Sequence, residues 1–191
     1  MKRFFDLLLA CLALIILSPL MLILAAAVKI SSPGTVFFTQ RRVGRQQKEF
    51  LIYKFRTMRS DAPKNVPTHL LGDAMNYITP LGRFMRRTSL DEIPQIFNII
   101  KGDMSVVGPR PALYNQADLI ALREQYGIND IKPGLTGWAQ CNGRDELPIP
   151  VKVNYDRYYL ENHGFWLDIK IIYKTFVHMF TGKGVREGQN D

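Results

Sequence analysis

The sequence predicts a helix-rich α/β protein of α+β type: an N-terminal re-entrant membrane helix–break–helix, followed by a small cytoplasmic domain with a β-hairpin and interfacial amphipathic helices. Three observations predict it. A charge-free, almost wholly apolar run extends from Leu7 to Val28. Thr35 to Gln40 and Phe50 to Met58 carry the composition of β-strands around a basic connection that contains Gly44. The rest is mostly helical in pattern, without the alternating strand and helix of a doubly wound sheet.

The apolar run is long enough to cross a bilayer, about 33 Å at about 1.5 Å per residue. Lys2 and Arg3 precede it, and Lys29, Arg41, Arg42 and Arg45 follow. Cationic flanks favour the cytoplasmic side, so a straight span leaves one basic cluster on the wrong face. Ser18-Pro19 stands at the middle of the run, and proline removes a helix-interior N–H and clashes with the preceding turn. A bend there lets the segment enter one leaflet and return. A proline-kinked single span is the competing topology, because transmembrane helices tolerate proline. A cleaved signal peptide would have a shorter apolar core and a small-residue cleavage site. The chain thus divides into a re-entrant hairpin over 1–30, a cytoplasmic domain over 31–184 and a polar tail over 185–191 of an inner-membrane protein.

The chain of 191 residues carries a net charge of +8, which suggests an anionic partner: nucleic acid, acidic lipid or a phosphorylated substrate. The anchor favours the last two, and juxtamembrane cations facing lipid headgroups account for much of the charge. No nucleic-acid-reading motif is present, so nucleic acid is not an expected partner. Cys11 and Cys141 lie far apart, and His69, His163 and His178 are isolated, which leaves no disulfide framework and no metal-ligand spacing.

On the second strand, Phe50, Ile52, Lys54 and Arg56 share one side, and two cations so spaced can grip a phosphate or simply meet solvent. Ser60 to Asn76 reads as a loop, Pro80 to Arg87 as a short helix and Ser89 to Lys101 as a stronger one. Gly102 to Pro111 and Lys132 to Arg144 are glycine- and proline-punctuated and read as irregular. Asn115 to Tyr126 is an amphipathic helix closed by Gly127. Val151 to Glu161 and Phe165 to Phe180 complete the helices, the last with a stripe of Phe165, Ile169, Ile172, Phe176 and Phe180 that suits core packing or a bilayer interface.

The segment Arg86-Arg87-Thr88-Ser89-Leu90-Asp91-Glu92-Ile93-Pro94-Gln95 is the densest candidate site. Ser89 and Glu92 have capping-box spacing, which by itself makes a helix start and nothing more. The company argues for chemistry: two arginines precede an adjacent carboxylate pair, and Pro109-Arg110-Pro111 follows. Flanking prolines stiffen the backbone around Arg110, which suits a fixed phosphate contact. A carboxylate at a helix N-terminus stays ionised at neutral pH, the state required of a nucleophile, and neighbouring arginines can hold charge developing on phosphorus.

Several blocks together resemble the bacterial monotopic phosphoglycosyl transferases, from about Lys2 to Gly184. They are the apolar N-terminus with Ser18-Pro19, Tyr53-Lys54-Phe55-Arg56-Thr57-Met58, Ser89 to Gln95, Lys101 to Pro111, Lys132 to Gln140, and Asn142-Gly143-Arg144. The resemblance implies transfer of a sugar-1-phosphate from a UDP-sugar to polyprenol (undecaprenyl) phosphate at the cytoplasmic face of the bacterial inner membrane. Such a step initiates a surface glycan, with inner-membrane lipid and downstream glycosyltransferases as further candidate partners. It implies Asp91 as the nucleophile that expels UMP and forms a covalent phosphosugar–aspartate, and Glu92 as its assistant. Lys54, Arg86, Arg110 and Arg144 match positions around the phosphates or nucleotide, and Ser18-Pro19 matches the membrane break. The family's dependence on Mg²⁺ makes Asp91 the expected metal ligand, since Mg²⁺ commonly takes one or two carboxylates plus substrate phosphates. Asp145 to Pro150 is a candidate sugar selector or a cap for the following helix. A non-enzymatic membrane scaffold accounts for charge and anchor but leaves Asp91-Glu92 an accidental cap.

Overall fold

The structure is a computed structural model that describes residues 1–62, 74–143 and 147–181, without the side chains of 74, 75 and 179–181. Arg144, His69, most of the 60–76 segment, part of the 145–150 segment and the tail 185–191 lie outside the described residues. Helix α1 spans Lys2–Ser31 as one element with Pro19 inside it. Pro19 lacks the N–H that would reach the Ile15 carbonyl, and Ser18 Oγ donates to that carbonyl at 3.0 Å. The chain therefore passes Pro19 without leaving the helix, where the sequence predicts a separation into two.

Both ends of α1 are tied to the same body. The Arg3 guanidinium donates to the Ile99 and Ile100 carbonyls at 2.6 and 2.9 Å. The buried Asp6 carboxylate accepts from Ser105 Oγ at 2.9 Å and from the Val106 N–H at 3.0 Å. At the far end Arg56 donates to the Ser32 and Pro33 carbonyls at 2.6 and 2.7 Å. Between these anchors Ala10, Met21, Leu24 and Val28 are buried, whereas Ile15, Ile16, Leu22 and Ile23 on the other side stand 64–73% exposed.

Strands β1 (Phe37–Val43) and β2 (Glu49–Phe55) pair antiparallel, with Phe38 opposite Lys54. Phe50 and Ile52 point from β2 into a core with Ala10 of α1 and Ile96, Ile99 and Met104. A short helix, α2 (Ala74–Tyr77), lies in the stretch read as loop. Helix α3 (Pro80–Arg87) has the expected bounds; Thr79 caps it, accepting from the Gly82 N–H at 2.9 Å, and Pro80 fills the first turn.

The expected helix over 89–101 divides. Ser89 adopts φ +56°, a 3₁₀ turn covers Leu90–Glu92, and α4 (Gln95–Lys101) begins after Pro94. Ser89 makes no side-chain cap, so its spacing to Glu92 is not a working capping box. Asn98, fully buried on α4, donates to the Leu51 carbonyl at 2.7 Å and accepts from the Tyr53 N–H at 3.0 Å. That amide clamps α4 to β2.

The two glycine-punctuated stretches are not irregular throughout: β3 (Ser105–Val107) and β4 (Gly134–Thr136) form a parallel pair. A Cβ on Gly134 would stand 2.1 Å from the Gly108 nitrogen, so the close backbone approach requires glycine. Helices α5 (Ala117–Gln125), α6 (Ile149–Asn162) and α7 (Phe165–Thr181) complete the described chain. Among the described side chains of α7, Ile171 is fully buried, whereas Phe165, Ile169 and Phe176 of the expected stripe are exposed, as are Trp166 and Tyr173; the Phe180 side chain lies outside the description. The N-terminal end of α1 meets α7 through Phe5 and Phe165, with ring centroids 5.5 Å apart, and through Lys2 and Asp168 at 2.6 Å.

Candidate active site

The hairpin, the 3₁₀ turn and the loop after β3 bring Lys54, Asp91, Glu92 and Arg110 together. Lys54 continues the inward row of Phe50 and Ile52 and reaches Glu92 Oε1 at 2.6 Å. Arg110 Nη2 meets the same oxygen at 3.0 Å. Asp91 Oδ2 stands 4.0 Å from Lys54 Nζ. Arg86, at the end of α3, donates through Nε to Thr57 Oγ1 at 2.8 Å and lines the same cavity as the other four.

The two adjacent carboxylates differ in electrostatics. Burial pushes the Asp91 carboxyl above its ordinary range; Lys54 pulls it down, Glu92 pushes it up, and Arg86 and Arg110 pull it down further. Burial acts upward on Glu92 too, but Arg110 and Lys54, by charge and by hydrogen bond, hold it well below the usual glutamate range. Asp91 does not stand at the helix N-terminus expected to favour its charged form. Asp91 sits in a three-residue 3₁₀ turn ahead of Pro94 rather than at the start of α4, and burial is the largest influence on it.

The site opens into a cavity of about 1430 Å³. Its lining includes Lys54, Arg86, Asp91, Glu92 and Arg110, together with Leu9, Leu12 and Ile16 of α1 and Ile172 and Phe176 of α7. Such a cavity can take a ligand with an anionic head and an apolar body. Among the described residues no group of three or more His, Cys, Asp and Glu side chains could hold a metal ion. The donor set does fit a hard cation that keeps water and takes phosphate oxygens: Asp91 offers a carboxylate in the cavity, while Glu92 is engaged by two cations.

Ser18 and Pro19 lie mid-way along α1 and do not line the cavity. Arg56, read as a partner of Lys54 in gripping phosphate, instead holds the carbonyls that follow α1. Not foreseen from the sequence are the roles of Thr57, which accepts from Arg86, of Asn98, which clamps α4 to β2, and of Arg42, Arg123 and Asp156, whose side chains join the main chain at Arg110 and Pro111 to distant segments. Spacing along a chain carries no signal for such contacts.

Lys54, Arg86 and Arg110 thus gather around the Asp91–Glu92 carboxylate pair in a cavity that apolar residues of α1 and α7 also line. The chain belongs to the bacterial sugar transferase family, whose profile matches residues 1–182. It is 43% identical over 189 residues to a UDP-glucose:undecaprenyl-phosphate glucose-1-phosphate transferase of Xanthomonas campestris pv. campestris, covering 95% of this chain and 39% of that protein. It is 37% identical over 190 residues to a UDP-N-acetylgalactosamine-undecaprenyl-phosphate N-acetylgalactosaminephosphotransferase of Aeromonas hydrophila, covering 97% of this chain and 45% of that protein. An exopolysaccharide production protein of Sinorhizobium fredii is 34% identical over 197 residues, covering 96% of this chain and 87% of its own length. The chain therefore spans less than half of the first two relatives.

Proposed function

We propose that this chain transfers a sugar-1-phosphate from a UDP-sugar to polyprenol (undecaprenyl) phosphate at the cytoplasmic face of the inner membrane, initiating a surface glycan. The observation that carries the reading is the cavity itself, whose lining combines Asp91, Glu92, Lys54, Arg86 and Arg110 with apolar residues of α1 and α7. The names of the Xanthomonas and Aeromonas relatives support both substrate classes. Helix α1 is long and apolar enough to cross a membrane by length and composition. Its exposed aliphatic side and the exposed aromatics of α7 suit the boundary between lipid and water.

In the first step an Asp91 oxygen attacks the sugar-bearing phosphorus. The bond from that phosphorus to the UMP oxygen breaks, UMP leaves with the electron pair, and a phosphosugar–aspartate remains. In the second step an oxygen of polyprenol phosphate attacks the same phosphorus, and the Asp91 carboxylate leaves. The phosphosugar and the incoming polyprenol phosphate compete for Lys54 and Arg110, which frees Glu92 to accept the proton of the polyprenol phosphate. Arg86 and, by its place in the sequence, Arg144 add to the phosphate and nucleotide contacts. Mg²⁺ held by Asp91 would neutralise charge on the phosphate oxygens.

The test uses the full chain with undecaprenyl phosphate, Mg²⁺ and a panel of UDP-sugars. UMP should appear with the productive donor, and without acceptor the quenched protein should gain the mass of one sugar phosphate. UMP release without that mass gain would replace the double displacement by a direct one. No UMP from any donor would overturn the transfer itself.

A further inference from the structure

The backbone that carries Arg110 is held at every carbonyl from Pro109 to Ala112. Pro109 accepts from the Gly134 N–H at 2.9 Å, and Ala112 from the Val43 N–H at 2.9 Å. The two between accept from arginine side chains: Arg110 from Arg123 Nη1 at 2.9 Å, and Pro111 from Arg42 Nη1 at 3.1 Å.

Arg123 is the unusual donor of the four. Its side chain is 4% exposed, and its Nε and Nη2 lie 3.0 and 2.6 Å from Oδ2 of Asp156, itself 1% exposed. Taking two charges out of water is costly, and a buried ion pair is often replaced by apolar side chains without loss of stability. Holding α5 against α6 therefore does not require these charges. What the pair adds is a directed donor: Asp156 fixes the guanidinium and leaves Nη1 aimed at one carbonyl. That carbonyl belongs to the arginine whose own guanidinium sits on Glu92.

We infer that Arg123 is a positioning residue, which sets the Arg110 guanidinium in the cavity by holding the Arg110 main chain. The inference rests on the reading that Arg110 contacts phosphate during sugar-phosphate transfer. Misplacing a binding group by about 1 Å can cost about 10²-fold in rate.

The test is a cycle on this chain with R123M/D156L, which removes both charges and replaces them by apolar side chains of similar shape, together with R110A. R123M/D156L should unfold near the wild-type temperature and lose about 10-fold to 10²-fold in kcat/KM. In the R110A background the same pair should cost less than about twofold, because nothing remains to position. R123K, which retains the charge facing Asp156, serves if the double variant fails to fold, and should show the same dependence on Arg110. Losses that simply add to that of R110A, or an unchanged rate, would overturn the inference. If the wild type releases no UMP, the transfer reading fails instead, and a structure of R123M/D156L decides: Arg110 still on Glu92 overturns the inference, and a displaced guanidinium supports it.

Discussion

Lys54 and Glu92 are joined by a 2.6 Å ion pair that links strand β2 to the turn after α3, with both side chains less than one-fifth exposed. The pair divides the labour between adjacent carboxylates. Glu92 carries the two cations, and Asp91, one residue earlier, stands farther from Lys54 and lines the cavity.

Lys54→Met removes an influence that lowers both carboxyls. With it gone, Asp91 and Glu92 both titrate at higher pH, so a reaction needing Asp91 ionised should show the acid limb of its kcat/KM profile displaced upward in pH. Turnover on the plateau should fall by about 10²-fold, as when one preorganised charge contact is lost. An acid limb that stays in place would show that Lys54 does not govern the titrating group.

Asp91→Asn should abolish transfer, by at least about 10³-fold, and should also stabilise the protein. The sign follows from burial: Asp91 titrates higher folded than unfolded, so its ionisation favours the unfolded chain, and stability falls as pH rises from its ordinary value of 3.8 through the raised one. Asparagine removes that cost at neutral pH. The midpoint of thermal unfolding at neutral pH should therefore rise above that of the wild type. A midpoint lowered at neutral pH would contradict the direction given for Asp91.

The same contrast separates what is legible in the sequence from what is not. Helix α3 is read to its ends because Thr79-Pro80 starts it, and the hairpin is read because strand composition flanks a glycine-bearing turn. The carboxylates and three of the four cations offered as site residues fall in one cavity because they lie in dense local motifs; the fourth cation, Arg144, lies outside the described residues. What escapes is set by contact between segments far apart. Gly108 and Gly134 look like loop punctuation until their strands lie side by side. Arg123 and Asp156 look like ordinary charges on two helices until the helices bury them. The burial of Asp91, the largest influence on its carboxyl, escapes for the same reason.

The anchors of α1 bear on its topology in a membrane. A straight helix of 30 residues is about 45 Å long, enough to separate its ends by a whole bilayer. Here Arg3 and Asp6 near one end and the carbonyls of Ser32 and Pro33 after the other are bonded to a single folded body. We expect both ends to stay on that body's side of the membrane, with the exposed aliphatic side of α1 lying in one leaflet. In a Cys11→Ser background, a cysteine inserted after Met1 and a Ser32→Cys substitution should both react with an impermeant maleimide only when the cytoplasmic face is open. Labelling of one of them from the periplasm would require the Arg3 and Asp6 bonds to break on insertion, and α1 would then be a span.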